Sequence, residues 1–99
     1  MRAVDNLVLE RWRGLGAAKV LLAVADHAKR DPTFEPTKDA RTERWHVAYG
    51  SAEFELLVCG QKFFDTRARR GGGGAVDLLM HLSGKSFKQV TLVLTGAGL

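Results

Sequence analysis

Several features that would fix a functional class are scarce or missing in this chain. It has a single cysteine, Cys59, among 99 residues, which excludes an internal disulfide framework and fits a reducing compartment. No stretch approaches the roughly 18 consecutive apolar residues of a membrane span. Charged residues interrupt the amino-terminal segment, which therefore lacks the apolar core of a secretory signal. We expect a cytoplasmic protein.

Residues that bind metals or catalyse reactions are also few. The three histidines and Cys59 form none of the closely spaced ligand pairs of structural zinc sites. We therefore expect no metal and no other cofactor. Residues 84–86 (GKS) resemble the end of a phosphate-binding loop, but that pattern needs glycine five positions before Gly84, where this chain has Leu79. No nucleophile–base pair stands out, and we expect a protein that is not an enzyme.

Basic residues and glycine, by contrast, are plentiful and adjacent. The formal net charge is +4, which permits a nucleic-acid partner without requiring one. Arg67, Arg69 and Arg70 lead into four glycines at 71–74, and an apolar helical pattern follows. Glycine lets a partner approach the backbone closely, and a helix start offers free N–H groups. The segment predicts a turn that binds nucleic-acid phosphate; a solvated turn without a ligand is the alternative.

The predicted nucleic-acid-binding residues are the basic residues and glycines in or near this turn, with aromatic residues to stack on bases. They are Lys62, Arg67, Arg69, Arg70, Gly71, Gly72, Gly73 and Gly74, followed by Arg41, Arg44 and Lys85, with Trp45 or Phe64 for stacking. Burial of Trp45 and of one phenylalanine in the core is the alternative. Phe63 and Phe64 are neighbours on a strand, so only one of them can face the core. Aromatic side chains among basic residues suit single strands, whose unpaired bases can stack on them.

The apolar pattern of the amino-terminal third predicts helices. Helical spacing covers residues 3–12 and 17–30, which makes 1–31 a helical N-terminal part. The aspartate–proline pair at 31–32 ends the second helix, because the residue before proline disfavours helical geometry. A polar loop that contains both prolines follows at 31–43.

Alternation of apolar and polar residues predicts a sheet in the middle of the chain. Strands at 44–50, 53–59 and 62–66 form an antiparallel meander, with Gly60-Gln61 as a two-residue hairpin turn. Such a sheet is marginal alone, so helices must cover its apolar face. We predict one α+β domain, 1–99, with a small antiparallel sheet of three to four strands covered by three to four helices.

Two further helices are predicted after the glycines. The first carries Leu79 on its buried face and stops at Gly84. Ser86 and Gln89 have the spacing of a capping box and open the last helix. The β-branched residues of that segment leave a strand as the alternative.

Residues 45–94 resemble the zinc-finger domain at the amino end of bacterial and phage DNA primases. In that family a small antiparallel sheet leads through a glycine turn into a segment like GGDAIDFVM and then SFxEAVxxL. Here residues 73–81 (GGAVDLLMH) and 86–90 (SFKQV) follow in the same order and spacing. Primase-like proteins of plasmids and integrative elements are the most similar in style. The resemblance implies a zinc-ribbon-like primase domain.

The chain departs from this family at the zinc ligands. Zinc-binding members carry CxxH before the first hairpin and CxxC just before the glycine turn, where this chain has residues 44–46 (RWH) and 65–68 (DTRA). The resemblance therefore implies a zinc-free form, in which apolar packing holds the sheet.

In that family the zinc domain helps to engage template DNA, and synthesis belongs to a separate domain. We therefore expect a non-catalytic accessory module that binds single-stranded DNA or a primer–template junction. One alternative is a module that docks on a replication or mobile-element protein, and another is a remnant that binds nothing.

Overall fold

The structure, a computed structural model, describes residues 5–99. It contains four helices and five strands over that range. In chain order they are α1 (Asn6–Gly14), α2 (Ala17–Val24), β1 (His27–Arg30), β2 (Glu43–Tyr49), β3 (Ala52–Cys59), β4 (Lys62–Asp65), β5 (Arg70–Gly73), α3 (Ala75–Ser83) and α4 (Phe87–Gly96).

The five strands form one antiparallel meander in the order β1-β2-β3-β4-β5. The predicted α+β fold is thus confirmed, and the sheet has one strand more than the three to four expected. Gly60 has φ +60°, as a two-residue hairpin turn between β3 and β4 requires. Residues 3 and 4, where the first helix was expected to begin, lie outside the described residues; Asp5 caps α1 by accepting from the N–H of Leu7 at 2.7 Å.

The prediction of one helix over 17–30, and with it a wholly helical 1–31 part, is wrong. Helix α2 ends at Val24, and the chain becomes extended at Ala25 (φ −77°, ψ 151°). The N–H of Asp26 donates to the carbonyl of Ala48 at 2.9 Å, and β1 then pairs with β2 along its whole length. Alanine, lysine and arginine favour a helix, but intrinsic propensity is a weak determinant and the pairing with β2 overrides it here.

The glycine run is a strand, so the predicted turn at 71–74 is wrong as well. The turn occupies residues 66–69, and β5 then pairs with β4. Glycine weakens a strand unless neighbouring aromatic rings cover its backbone. Here a Cβ on Gly71 would lie 3.2 Å from the ring of Phe64, and one on Gly72 would lie 3.1 Å from the ring of Phe63. The two phenylalanines therefore cover this strand, one on each side.

The helices cover one face of the sheet: α2 and α3 contact the strands, and α1 and α4 pack against α3. The buried residues of β2, β3 and β4 alternate along each strand, and they meet buried residues of every helix. The largest are Trp12, Leu21, Trp45, Leu56, Phe63, Leu78, Leu79 and Leu94. The predicted burial of Leu79 is confirmed.

No helix within residues 5–99 is long and apolar enough to cross a membrane.

The two carboxy-terminal helices follow their sequence signals. Gly84 adopts a left-handed conformation (φ +69°) just after α3, as expected of a glycine that ends a helix. The capping box of Ser86 and Gln89 is complete, so the last segment is a helix and not a strand.

Candidate nucleic-acid interface

The side of the sheet opposite the helices, called the open face below, carries the residues of interest. Residues directly opposite each other in neighbouring strands share a face, so the pairing register defines it. None of its members is buried. They are His27, Lys29, Arg44, His46, Ala48, Glu53, Glu55, Leu57, Cys59, Lys62, Phe64, Gly71 and Gly73.

One row of the open face crosses four strands. Arg44, Leu57, Phe64 and Gly71 stand opposite one another from β2 to β5. The row is about 14 Å long, because neighbouring strands lie about 4.8 Å apart. Phe64 is 41% exposed, and its ring leans over Gly71, whose missing side chain leaves room for it. This arrangement forms an apolar platform in which the Phe64 ring covers Gly71.

Basic residues surround this platform. Lys62 lies one row away on β4, and Lys29 lies on β1. Arg67 belongs to the 66–69 turn and reaches back towards the open face, where its Nη2 lies 3.7 Å from Oε1 of Glu55. With Arg44, these basic residues outnumber the two acidic residues of the face, so the platform lies in a positive field.

Glu55 is the centre of the charged part of the face. Nη2 of Arg44 donates to Oε2 of Glu55 at 2.6 Å, and Nδ1 of His46 lies 3.3 Å from Oε1. The hydrogen bond from Arg44, assisted by the charges of Arg44, Arg67 and His46, outweighs desolvation and lowers the pKa of Glu55 below its usual value. Glu55 is therefore ionised at neutral pH and already occupies one predicted phosphate ligand, Arg44.

The structure brings three other predicted ligands together in a groove. Arg70 and Gly71 of β5 line it on one side, and Lys85 lines it beyond the end of α3. The groove has a volume of about 400 Å³, and Asp77 and His81 also line it. Gly71 belongs both to the platform row and to this groove, so the two sites are continuous around the edge of β5.

Two predicted ligands have structural roles instead. Trp45 is only 7% exposed, and its indole N–H donates to Glu43 at 3.1 Å, so the prediction that it stacks on a base is wrong. Its alternating position on β2 places it on the core face. Gly72 faces the ring of Phe63 on that same side, so its backbone is covered there by protein.

The start of α3 also differs from the prediction of a free anion site. Gly74 is buried with φ +92°, and a Cβ there would meet Cα of Arg13 in α1 at 3.6 Å. The carboxylate of Asp77 accepts from the N–H of Gly73 at 3.3 Å. Asp77 therefore already accepts one N–H at this helix start, and a cavity of about 280 Å³ that Arg13, Gly73 and Gly74 also line lies beside it.

The remaining predicted residues are exposed. Arg69 lies in the 66–69 turn with φ +56°, which is rare for a residue with a side chain. Arg41 is paired with Asp39 at 2.9 Å in the loop before β2. The thiol of Cys59 donates to the same carboxylate at 3.5 Å, which brings this loop to the rim of the open face. The hydrogen bonds from Arg41 and Cys59 lower the pKa of Asp39 well below its usual range.

Buried Asp65 and half-buried His81 form a pair that holds the basic turn in place, and nothing in their sequence spacing indicates the contact. Asp65 is 3% exposed; it accepts from the N–H groups of Arg67 and Ala68 at 2.9 and 3.0 Å, and it lies 2.7 Å from Nε2 of His81. Burial alone would raise the pKa of Asp65, but these hydrogen bonds outweigh burial and lower it. The His81 ring packs against Phe63 at 5.6 Å. The pair thus ties the turn that carries Arg67 to α3.

The metal-binding potential of the described part of the chain is low. Among residues 5–99, no group of three or more His, Cys, Asp or Glu side chains is arranged to hold a metal ion. The expectation of a protein that folds without metal remains a prediction, to be tested by the chelator experiment below.

Comparisons with known proteins add little to this geometry. No family model matches the chain, and no solved structure matches it at a significant level. The chain is 49% identical over 35 residues to a protein described as "65 kDa protein" from Zymomonas mobilis subsp. mobilis. The match covers 35% of this chain and 6% of that protein. A likeness of this extent does not establish a family.

Proposed function

We propose that this protein is a non-catalytic accessory module that binds single-stranded nucleic acid, with DNA favoured, across its open face. The observation that carries the proposal is the position of Phe64. It is a large aromatic residue, 41% exposed on the sheet face that no helix covers, with its ring over Gly71 and basic residues on the same face. An aromatic residue of the core would be buried, and a surface that serves only solubility does not need an exposed aromatic ring among basic residues.

Each part of the platform has a use in binding a single strand. A base can stack on Phe64, and such stacking contributes roughly 1–3 kcal/mol per base. Leu57 extends the apolar surface beside it. Gly73 has no side chain on the open face, so a sugar or base can approach β5 closely there. Lys62 and Arg67 lie near the platform, and we expect them to contact phosphates.

The groove between β5 and α3 extends the path of the strand. Because Gly71 belongs to both sites, a strand that leaves Phe64 passes directly into the groove lined by Arg70 and Lys85. Asp77 lies in the same groove and repels phosphate, so we expect its contribution to be unfavourable. The positive charges of Arg70 and Lys85 outnumber the one negative charge of Asp77.

The resemblance to primase zinc fingers supports a role in replication of mobile elements, in the cytoplasm. In zinc-binding members CxxC stands at the position of residues 65–68. Here the carboxylate of Asp65 accepts the N–H groups of that turn, and His81 anchors it. A turn held in this way needs no zinc, which fits the proposal of a zinc-free relative.

The test is a titration of a labelled oligothymidylate by fluorescence anisotropy, with Phe64→Leu compared against Phe87→Leu. Both residues are exposed phenylalanines, but Phe87 lies on α4, on the helical side of the sheet. We expect Phe64→Leu to weaken binding roughly 5-fold to 100-fold, as loss of one stacked base requires, and Phe87→Leu to leave it unchanged. Equal affinities for the two variants would refute stacking on Phe64. Salt-insensitive binding to a protein, with none to the oligonucleotide, would favour a docking module instead.

A further inference from the structure

We propose that Glu55 is an internal competitor for phosphate, which occupies the place of an anion among Arg44, His46 and Arg67 and so limits the affinity of the open face. The inference rests on the proposed function, because it concerns the same site. It assigns to Glu55 a regulatory role that the overall charge of the chain does not suggest.

The geometry places Glu55 where an anion would bind. It stands opposite His46 in the middle of the sheet, so its side chain rises from the centre of the open face. Its carboxylate contacts Arg44 at 2.6 Å, His46 at 3.3 Å and Arg67 at 3.7 Å. One carboxylate thus faces two guanidinium groups, which leaves a positive surplus before His46 is counted.

The contacts differ in strength, and this decides which of them a phosphate can take over. The bond to Arg44 is short and half-buried, whereas Arg67 is exposed and its contact is longer than a hydrogen bond. Exposed ion pairs of this kind stabilise a fold only slightly. A phosphate, which a guanidinium binds with two hydrogen bonds, can therefore displace Glu55 from Arg67 while Glu55 stays bound to Arg44.

The backbone of the basic turn is held close to Glu55. The carbonyl of Glu55 accepts from both the N–H and the hydroxyl of Thr66 at 3.2 Å, which fixes the start of the basic turn against β3. An approaching phosphate therefore meets the carboxylate of Glu55 each time it meets Arg67. The repulsion lowers affinity at this position and not elsewhere on the face.

The experiment compares Glu55→Gln with Glu53→Gln in the oligothymidylate titration. Both changes remove one negative charge from β3 and the open face, but Glu53 makes no ion pair with any residue in 5–99. We expect Glu55→Gln to raise affinity roughly twofold to fivefold more than Glu53→Gln, as release of one exposed pair allows. The slope of log affinity against log salt should steepen by about 0.7, the value for one additional phosphate contact. Removing Arg67 from the Glu55→Gln variant should abolish this gain.

A second variant separates competition from the loss of charge and from misfolding. Glu55→Asp keeps the charge but withdraws the carboxylate from Arg67, so we expect binding tighter than that of the wild type. Thermal unfolding checks that each variant is folded. Suppose that the wild type binds, while Glu55→Asp binds no more tightly than the wild type and Glu55→Gln no more tightly than Glu53→Gln. In that case Glu55 is not a competitor, and the proposed function stands. If the wild type and all variants fail to bind, the proposed function falls, and this inference falls with it.

Discussion

Replacing Asp65 with asparagine tests whether the Asp65–His81 pair holds the basic turn. Asparagine has nearly the same shape and keeps one oxygen to accept from the N–H groups of Arg67 and Ala68. It removes the charge that strengthens these bonds, and it replaces the carboxylate oxygen 2.7 Å from Nε2 of His81 with an amide nitrogen that cannot accept a hydrogen bond. Because hydrogen bonds to charged groups contribute about 1.5–3 kcal/mol, we expect the free energy of unfolding to fall by about 2–3 kcal/mol.

Thermal unfolding followed by circular dichroism measures this loss. For a domain of this size, about 2–3 kcal/mol lowers Tm by roughly 10–20 °C. Asp77→Asn is the matched control, because that carboxylate is exposed and makes a single weak bond to Gly73 at 3.3 Å. We expect the control to change Tm by only a few degrees. A similar Tm for both variants would refute the assignment of Asp65 as the anchor of the turn.

The pH dependence of stability provides an independent check on Asp65. Its pKa is lower in the folded protein than in the unfolded chain, where it is near 3.8. Its ionised form therefore stabilises the fold at pH values above 3.8, and this contribution is lost as the pH falls through the lower folded pKa. The difference in stability between wild type and Asp65→Asn should be largest near neutral pH and should shrink below pH 3.8. A difference that grows on acidification would contradict the sign of this effect.

Three further predictions concern the core, one glycine and metal. Leu79→Ala should lower the free energy of unfolding by about 2–5 kcal/mol, because Leu79 is fully buried. An unchanged denaturation midpoint would show that this packing is wrong. Gly74→Ala should lower Tm clearly, since Gly74 has φ +92° and packs on Arg13, whereas Gly73→Ala, at an exposed strand position with normal φ, should have a much smaller effect. A chelator should leave Tm unchanged and elemental analysis should find no bound zinc; stoichiometric zinc would refute the zinc-free fold.

Features of this fold that depend on local sequence were predictable. Gly84 ends α3 because only glycine readily adopts the left-handed conformation there, and the spacing of Ser86 and Gln89 sets the start of α4. Alternation along β2 and β3 gave the correct buried faces, including Leu56 and Val58. Each of these signals acts within a few residues.

Features that depend on distant pairing were not predictable in the same way. A segment with helical spacing becomes β1 because β2 is available beside it, and three glycines become part of β5 because Phe63 and Phe64 cover the strand. The same holds for the candidate site. Glu55 and Arg67 meet across the sheet, and nothing in their sequence spacing indicates the contact.

The most direct test of nucleic-acid binding by the open face and its basic turn is the salt dependence of oligothymidylate affinity. It is measured on a variant in which Arg67, Arg69 and Arg70 are all changed to glutamine. The control changes three exposed basic residues on the helices, Arg11, Lys19 and Lys88, to glutamine, so that both variants lose the same charge. Exposed charges contribute little to stability, so both variants should remain folded.

If the account is correct, the variant of the basic turn binds more weakly, and its slope of log affinity against log salt is shallower by about 0.7 for each lost phosphate contact. The control should keep a slope close to that of the wild type. Equal slopes and affinities for the two variants would contradict a nucleic-acid site at this turn.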